Sequence, residues 1–284
     1  MRNVLFQYTR RSPILRREQS HANVRLLKVP TLEIRHVTKS YGRLKAVSDV
    51  SFTVRPHAVC GYLGPNGSGK STTIKMITGL LPPTTGTVLY GGQDIRDDPI
   101  AYKARLGYVP EEPNLYSYLT GWEYLRLVGE LRCLSATPLE RKIAGMLELF
   151  GLDFYKHAPI SSYSKGMRQK VLIIAALLHN PEILIFDEPI SGLDITAALI
   201  FRELLAGLAR EGKIVLCSSH ELALVENVCS EVVILHHGKV VASGTIDEVR
   251  QLRRMPSLEA VFSDLVASEN IQGTAADILE LMEV

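Results

Sequence analysis

The sequence has no long apolar run. Its uninterrupted hydrophobic stretches, such as Val171 to Leu178, fall well short of the roughly 18–20 residues a membrane-crossing helix needs. Any membrane role is therefore expected to be played on a partner. Cysteine is scarce: Cys60, Cys133, Cys217 and Cys229 show no CxxC spacing. That excludes a disulfide scaffold and a thiolate metal framework, and the four read as small buried residues in a reducing compartment. Tryptophan occurs once and aromatics make up 7% of the chain, yet 46% of it is hydrophobic and 22% charged. This balance excludes disordered and collagen-like chains and suits a globular protein with a sizeable core. A length of 284 residues gives one large domain or two modest ones.

A strong excess of one charge is also lacking, with a net charge of +2. The near balance hides an asymmetry. Residues 1–30 carry Arg2, Arg10, Arg11, Arg16, Arg17, Arg25 and Lys28 against Glu18 alone, so the rest of the chain is net acidic. Such a body is not a general nucleic-acid binder, because that binding depends on many phosphate neutralisations. No apolar segment follows either arginine pair, so an export signal is not expected. Residues 1–30 read as a disordered basic leader or as the result of a start site assigned too early, with attraction to acidic headgroups as the alternative.

From Thr31 the pattern is one of strands. Leu32, Ile34, Val50, Phe52 and Val54 alternate with polar residues, as half-buried strands do. Val59 to Leu63 is a short apolar strand entering a glycine-rich loop. A helix is expected over Ser71 to Leu81, ended by Gly79 and Pro82-Pro83. Thr87 to Ile95 suggests a tight hairpin around Gly91-Gly92. Thr120 with Glu123, and Thr137 with Glu140 and Pro138, have the form of capping boxes that open two helices. Residues 96–164 are thus expected to be a mainly helical insertion. Apolar strands follow at Ile183 to Phe186, Lys213 to Cys217 and Glu231 to Leu235, with a return through Val240-Val241 and a helix over about Thr196 to Arg210. Strands alternating with helices imply an α/β fold whose mostly parallel sheet is covered on both faces. The end of the chain, residues 246–284, reads as a helical tail; from Met255 it is acidic and has no basic residue.

Gly64-Pro65-Asn66-Gly67-Ser68-Gly69-Lys70-Ser71 fits G-x-x-x-x-G-K-[ST], a pattern met by chance in a chain of this size roughly once in a hundred. Here a strand precedes it and a helix begins inside it, as its mechanism requires. Glycines let the backbone fold into a nest of N–H donors around phosphate oxygens, and the helix N-terminus adds its dipole. Lys70 would reach the β- and γ-phosphates, and the Ser71 hydroxyl would ligate Mg²⁺. Ile183-Leu184-Ile185-Phe186-Asp187-Glu188 is the expected second half: an apolar strand delivers Asp187 at its C-terminal end, where ligands bind in open α/β sheets. Asp187 would hold Mg²⁺, through water or indirectly, and Glu188 would orient and deprotonate an attacking water.

Over residues 32–265 the sequence resembles the nucleotide-binding subunits of ATP-binding cassette (ABC) transporters. The resemblance implies a P-loop NTPase core, an N-terminal antiparallel β-subdomain and an inserted α-helical subdomain, with the cassette domain over 31–245. It places Tyr41 where the family stacks an aromatic on adenine. Phosphate-loop contacts to ATP extend from Gly64 to Thr72. Tyr163-Ser164-Lys165-Gly166-Met167 stands where the family has its signature, usually Leu-Ser-Gly-Gly-Gln. Ser191-Gly192-Leu193-Asp194 matches the loop that meets the second subunit, and His220 matches the switch histidine. Ser164 and Gly166 open a helix whose N-terminus is an anion site. Because the phosphate loop already has one such terminus, this second one makes sense as a site for another molecule's nucleotide. The family arrangement is two head-to-tail subunits sandwiching two ATPs.

Two departures stand out. Lys165 and Met167 replace the usual glycine and glutamine, and Lys165 is expected to add positive charge near a γ-phosphate. Glu111, in Leu106-Gly-Tyr-Val-Pro110-Glu111-Glu112-Pro113, stands where a glutamine is usual. It can ligate Mg²⁺ but repels phosphate, and it points to the ABC-2 exporter branch. Tyr116, Tyr118 and Trp122 follow closely, either as core or as a groove for a helix of the membrane subunit. The resemblance implies an ATPase that drives transport, with export favoured, through a separately encoded membrane subunit. It would lie in the cytoplasm against the inner face of the membrane. The alternatives are a soluble ATPase of the same superfamily acting on DNA, ribosomes or iron–sulfur assembly, and a nucleotide sensor that does not hydrolyse. No sustained heptads lie between the phosphate loop and the signature, and the chain carries one cassette, which speaks against the first. Intact Lys70, Asp187, Glu188 and His220 speak against the second.

Overall fold

Period-two alternation builds the first sheet. Leu32–Tyr41 (β1) and Leu44–Val54 (β2) form a hairpin, and Thr85–Tyr90 (β4) and Gln93–Asp94 (β5) complete a four-stranded antiparallel sheet in the order β2-β1-β4-β5. The computed structural model describes residues 29–220, 222–255, 257–266 and 280–282. The leader up to residue 28, with its readings, and Ile278 and Leu279 of the tail lie outside them.

The second sheet is made from Val59–Leu63 (β3), Leu106–Val109 (β6), Ile183–Asp187 (β7), Ile214–Ser219 (β8), Glu231–His236 (β9) and Lys239–Thr245 (β10). Its order is β10-β9-β3-β8-β7-β6, parallel except for the β9–β10 hairpin. The inner strands are apolar along most of their length because the sheet is covered twice. Val59, Leu184, Phe186, Val215, Cys217, Val232 and Ile234 face one core with the helices, while Cys60, Tyr62, Ile183, Ile185, Ile214, Leu216, Val233 and Leu235 face the antiparallel sheet. Phe186 and Phe201 meet edge to face at 5.1 Å, a contact worth about 0.5–1.5 kcal/mol beyond its buried area. Phe52 stacks on Tyr62 at 5.3 Å across the two sheets.

The helices are Lys70–Ile77 (α1), Pro99–Ala104 (α2), Gly121–Leu131 (α3), Ala136–Leu149 (α4), Lys165–Leu177 (α5), Ile195–Arg210 (α6), Leu222–Val228 (α7), Ile246–Arg253 (α8) and Leu258–Val266 (α9). The first stops four residues short of the expected Leu81. Leu80 N–H bonds to Lys75 O at 2.9 Å and Gly79 N–H to Met76 O at 3.1 Å, with Gly79 at φ 67°. This Schellman motif satisfies the last carbonyls and turns the chain early. α3 opens on the expected capping box, with both Thr120–Glu123 bonds made. The box expected at Thr137 and Glu140 does not form. Cys133 takes φ 56° and turns the chain sooner, so Ser135 is the N-cap and Pro138 sits third in the helix, where a missing N–H still costs nothing. That turn also leaves Cys133 exposed, whereas Cys60, Cys217 and Cys229 are buried. The expected helical stretch from residue 96 contains β6, which pairs with β7 in the main sheet. Its helical core, around Leu125, Leu139, Ile143 and Leu147, lies beyond that strand and packs on α5. Among the described residues no helix is long and apolar enough to cross a membrane.

Candidate functional site

The loop from Gly64 to Lys70 leaves β3 in the middle of the sheet and enters α1. Side chains are excluded at two places. A Cβ on Gly64 would lie 2.4 Å from Leu235 O, and Gly69 holds φ 104° with its would-be Cβ 2.6 Å from Ala46 O. The loop is braced by Ser68 N–H on Pro65 O (3.1 Å) and by Gly238 N–H on Ser68 O (2.9 Å). Ser68 Oγ is buried without a partner. The cleft above it, of about 250 Å³, is lined by Ala46, Pro65, Asn66, Gly67, Gly69, Lys70, Ser71, Thr72, Glu111, Asp187 and Glu188.

Lys70 is 8% exposed. Its ammonium donates to Gly64 O at 2.6 Å and Pro65 O at 3.3 Å. Burial lowers its pKa, while Glu188, Asp187 and Glu111 act the other way. Asp187 ends β7 buried, and burial raises its pKa, countered by a 2.6 Å hydrogen bond from Ser218 Oγ to its Oδ1. The same Ser218 Oγ accepts from Glu188 N–H at 3.0 Å. Glu188 is held at φ 49°, an unfavourable conformation for a side-chain-bearing residue that persists where the surroundings fix it. Its carboxylate Oε2 accepts from His220 Nδ1 at 2.8 Å and lies 3.4 Å from His220 N.

The parallel register explains this convergence. Asp187 is opposite Ser218, and Leu63 is opposite Ser219, so three neighbouring strand ends deliver the loop lysine, the carboxylates and the histidine. Ser218 ties the two acidic residues to the middle strand; only a register assignment could have singled it out in the sequence. Gln169 was likewise unforeseen: it is fully buried and donates Nε2 to Pro189 O at 3.1 Å.

Other expected residues lie elsewhere. Tyr41 is 51% exposed at the end of β1 and does not line the cleft, although the adjoining strand supplies Ala46. Ser164 caps α5 by accepting from Met167 N–H at 3.2 Å, and Asp194 caps α6 by accepting from Ala197 N–H at 2.8 Å. Neither they nor Gly166 line the phosphate cleft. Lys165 does not project toward it either; its ammonium donates to Ser191 Oγ at 2.8 Å. Tyr116 and Tyr118 are 55% and 76% exposed, which excludes them from the core, and Trp122 is half-buried.

The donor set suits a magnesium nucleotide. Asp187, Glu188, Glu111 and the Ser71 hydroxyl gather oxygen ligands around one lysine, the chemistry a hard divalent cation requires. Among the described residues no cluster of three or more His, Cys, Asp and Glu forms a metal cage.

Comparison with known proteins agrees. The family model described as ABC transporter matches residues 47–191. The ABC transporter ATP-binding protein NatA of Bacillus subtilis (strain 168) is 39% identical over 220 residues, covering 77% of this chain and 89% of that protein. The ABC-type transporter ATP-binding protein EcsA of the same organism is 38% identical, covering 78% and 89%. A solved ATP-binding subunit of an ABC transporter superposes with a TM-score of 0.78 at 37% identity, over 82% of this chain and 98% of that one. A dimeric bacterial ABC transporter cassette gives 0.70 at 25% identity, over 75% and 98%. The phosphate loop and the acidic strand end share one cleft, the histidine is bonded to its glutamate, and all three follow the family's order, so the chain belongs to the ABC transporter family as an ATP-binding subunit, an ATPase that drives transport.

Proposed function

We propose that two copies of this chain close head to tail on two Mg-ATP and hydrolyse them to power export through a separately encoded membrane permease. The observation that carries the reading is the single cleft joining Lys70, Asp187 and Glu188, with His220 bonded to the glutamate. Lys70 leaves its loop carbonyls to pair with the β- and γ-phosphates, and the loop N–H groups from Asn66 to Thr72 bind phosphate oxygens. Ser71, Asp187 and Glu111 hold the magnesium ion, which supplies charge neutralisation on the phosphates when bound. Glu188 takes the proton of the attacking water, oriented by His220, in an in-line displacement whose charge is stabilised by Lys70. Tyr41 stacks on adenine from the rim. Ser164, Gly166 and Asp194, facing away from their own cleft, cover the nucleotide held by the other copy.

The exposed Tyr116 and Tyr118, 5.9 Å apart and following the Glu111 loop, suit the burial of a permease helix, since aromatic anchors carry much of an interface's energy. On this reading the chain works in the cytoplasm, on the inner face of the membrane. Glu111 in place of the usual glutamine supports the exporter branch.

The test is co-expression with a candidate multi-span permease, followed by co-purification and a phosphate-release assay. A stable complex whose magnesium-dependent turnover is lost in Lys70→Ala is expected. Absence of any affinity for Mg-ATP would refute the reading.

A further inference from the structure

The start of α5 is attached to the segment that follows Glu188. Lys165, Gly166, Gln169 and Lys170 fall on one helical face by their spacing, and each meets that segment. Gln169 Nε2 donates to Pro189 O at 3.1 Å. Lys165 Nζ donates to Ser191 Oγ at 2.8 Å, and its Cγ and Cδ lie 3.1 Å from where a Gly192 Cβ would stand. A Cβ on Gly166 would come within 2.4 Å of Gly192 O, and Lys170 Nζ is 3.4 Å from Asp194 Oδ2. Close approach here thus depends on Gly166 and Gly192 having no side chain. Gln169 Oε1 is buried without a partner, so the glutamine alone is a half-satisfied clamp. Lys165 supplies the tie at the exposed end.

We propose that Lys165 is a positioning residue that fastens the Ser191-Gly192 loop to the start of α5 within its own chain, rather than a ligand of the other copy's nucleotide. The helix start carrying Ser164 and the segment leaving Glu188 then move as one unit. A signature glycine at position 165 could not make this tie. The proposal rests on the nucleotide sandwich for its functional consequence, but the tie itself belongs to the single chain.

The test uses the full chain with Lys165→Met, which keeps the stem and removes the ammonium, Lys165→Arg as the conservative variant, Ser191→Ala, and the Met/Ala double variant. Without nucleotide, the amides of Ser191 and Leu193, bonded to Glu188 O and Ile190 O at 3.2 and 3.0 Å, report on the loop by hydrogen exchange. Lys165→Met is expected to speed their exchange about tenfold, with Lys165→Arg restoring most of it. With Mg-ATP, kcat should fall at least about fivefold in either single variant, with KM and the affinity for an N-methylanthraniloyl ATP analogue kept within about twofold. The double variant should lose no more than either single, because both remove the same contact. Unchanged exchange, losses that add, or a raised KM in Lys165→Met with Ser191→Ala silent each overturn the proposal. Wild-type protein that shows the slow exchange but never binds Mg-ATP refutes the functional reading and leaves the tie standing.

Discussion

Glu188→Gln is the sharpest probe of the site. The amide is nearly isosteric with the carboxylate, and its oxygen can still accept from the His220 ring, now 2.8 Å from Oε2. The strained backbone at φ 49° is fixed by Ser218 on the main-chain N–H, so the exchange leaves the fold and His220 in place. What it removes is the capacity to take a proton. General base catalysis contributes about 10²–10⁴-fold, equivalent to about 2.7–5.4 kcal/mol of barrier. Losing one negative charge beside Asp187 and Glu111 also lessens repulsion of phosphate, so nucleotide affinity should hold or rise. The assay pairs phosphate release with sedimentation in Mg-ATP. Turnover should fall at least a hundredfold while a nucleotide-bound dimer accumulates. Turnover above about a tenth of wild type would refute the assignment of the base, since a general base cannot be removed so cheaply.

Ser218→Ala strips Asp187 Oδ1 and Glu188 N–H of their buried partner, and should cost about 1–3 kcal/mol in urea unfolding, with turnover reduced and Asp187 pushed further up in pKa. Equal midpoints for variant and wild type would contradict that role. His179 donates Nε2 to Leu106 O, and burial, with Arg132 nearby, lowers its pKa from 6.5 to about 4. The unfolded chain therefore binds the extra proton first: the stability is fully present above pH 6.5 and is lost as pH falls toward 4. Discounted for solvent screening, about 1–2 kcal/mol is at stake. His179→Gln should flatten the stability profile across that window, and parallel profiles for the two proteins would exclude His179 as the source.

The sequence revealed the residues whose meaning is local. Lys70 and Ser71 are legible because a glycine loop between an apolar strand and a helix has one main physical use, and Asp187-Glu188 because an apolar strand ends in acid. Partnerships across the fold were not legible. Ser218 becomes a site residue only through its register with Asp187, and β6 joins the main sheet only because β7 offers its edge. Lys165 is expected from its place in the signature to bring a cation near a γ-phosphate; its hydrogen bond to Ser191 Oγ on another loop is a contact that no periodicity encodes. The false capping box at Thr137 had the right letters, yet the left-handed turn at Cys133 started the helix two residues sooner.

α5 links these pieces mechanically. Leu172, Ile173, Ala176 and Leu177 pack into the core of the main sheet, while Val171, Ile174, Ala175 and Leu178 pack into the core of the helical insertion. A helix buried on both sides by close-packed side chains has little freedom to rotate against either neighbour. The orientation of Ser164 relative to Lys70 in one chain is therefore set by packing, and the loop after Glu188 is attached to the same helix by Lys165 and Gln169. What this packing leaves adjustable is the approach of one whole copy to another. The surface loop from Glu111 to Tyr118 touches both cores through Leu115, while its two tyrosines stay exposed. On the proposed reading, closure on nucleotide is a rigid-body movement, and the exposed Tyr116 and Tyr118 are where a membrane partner would feel it.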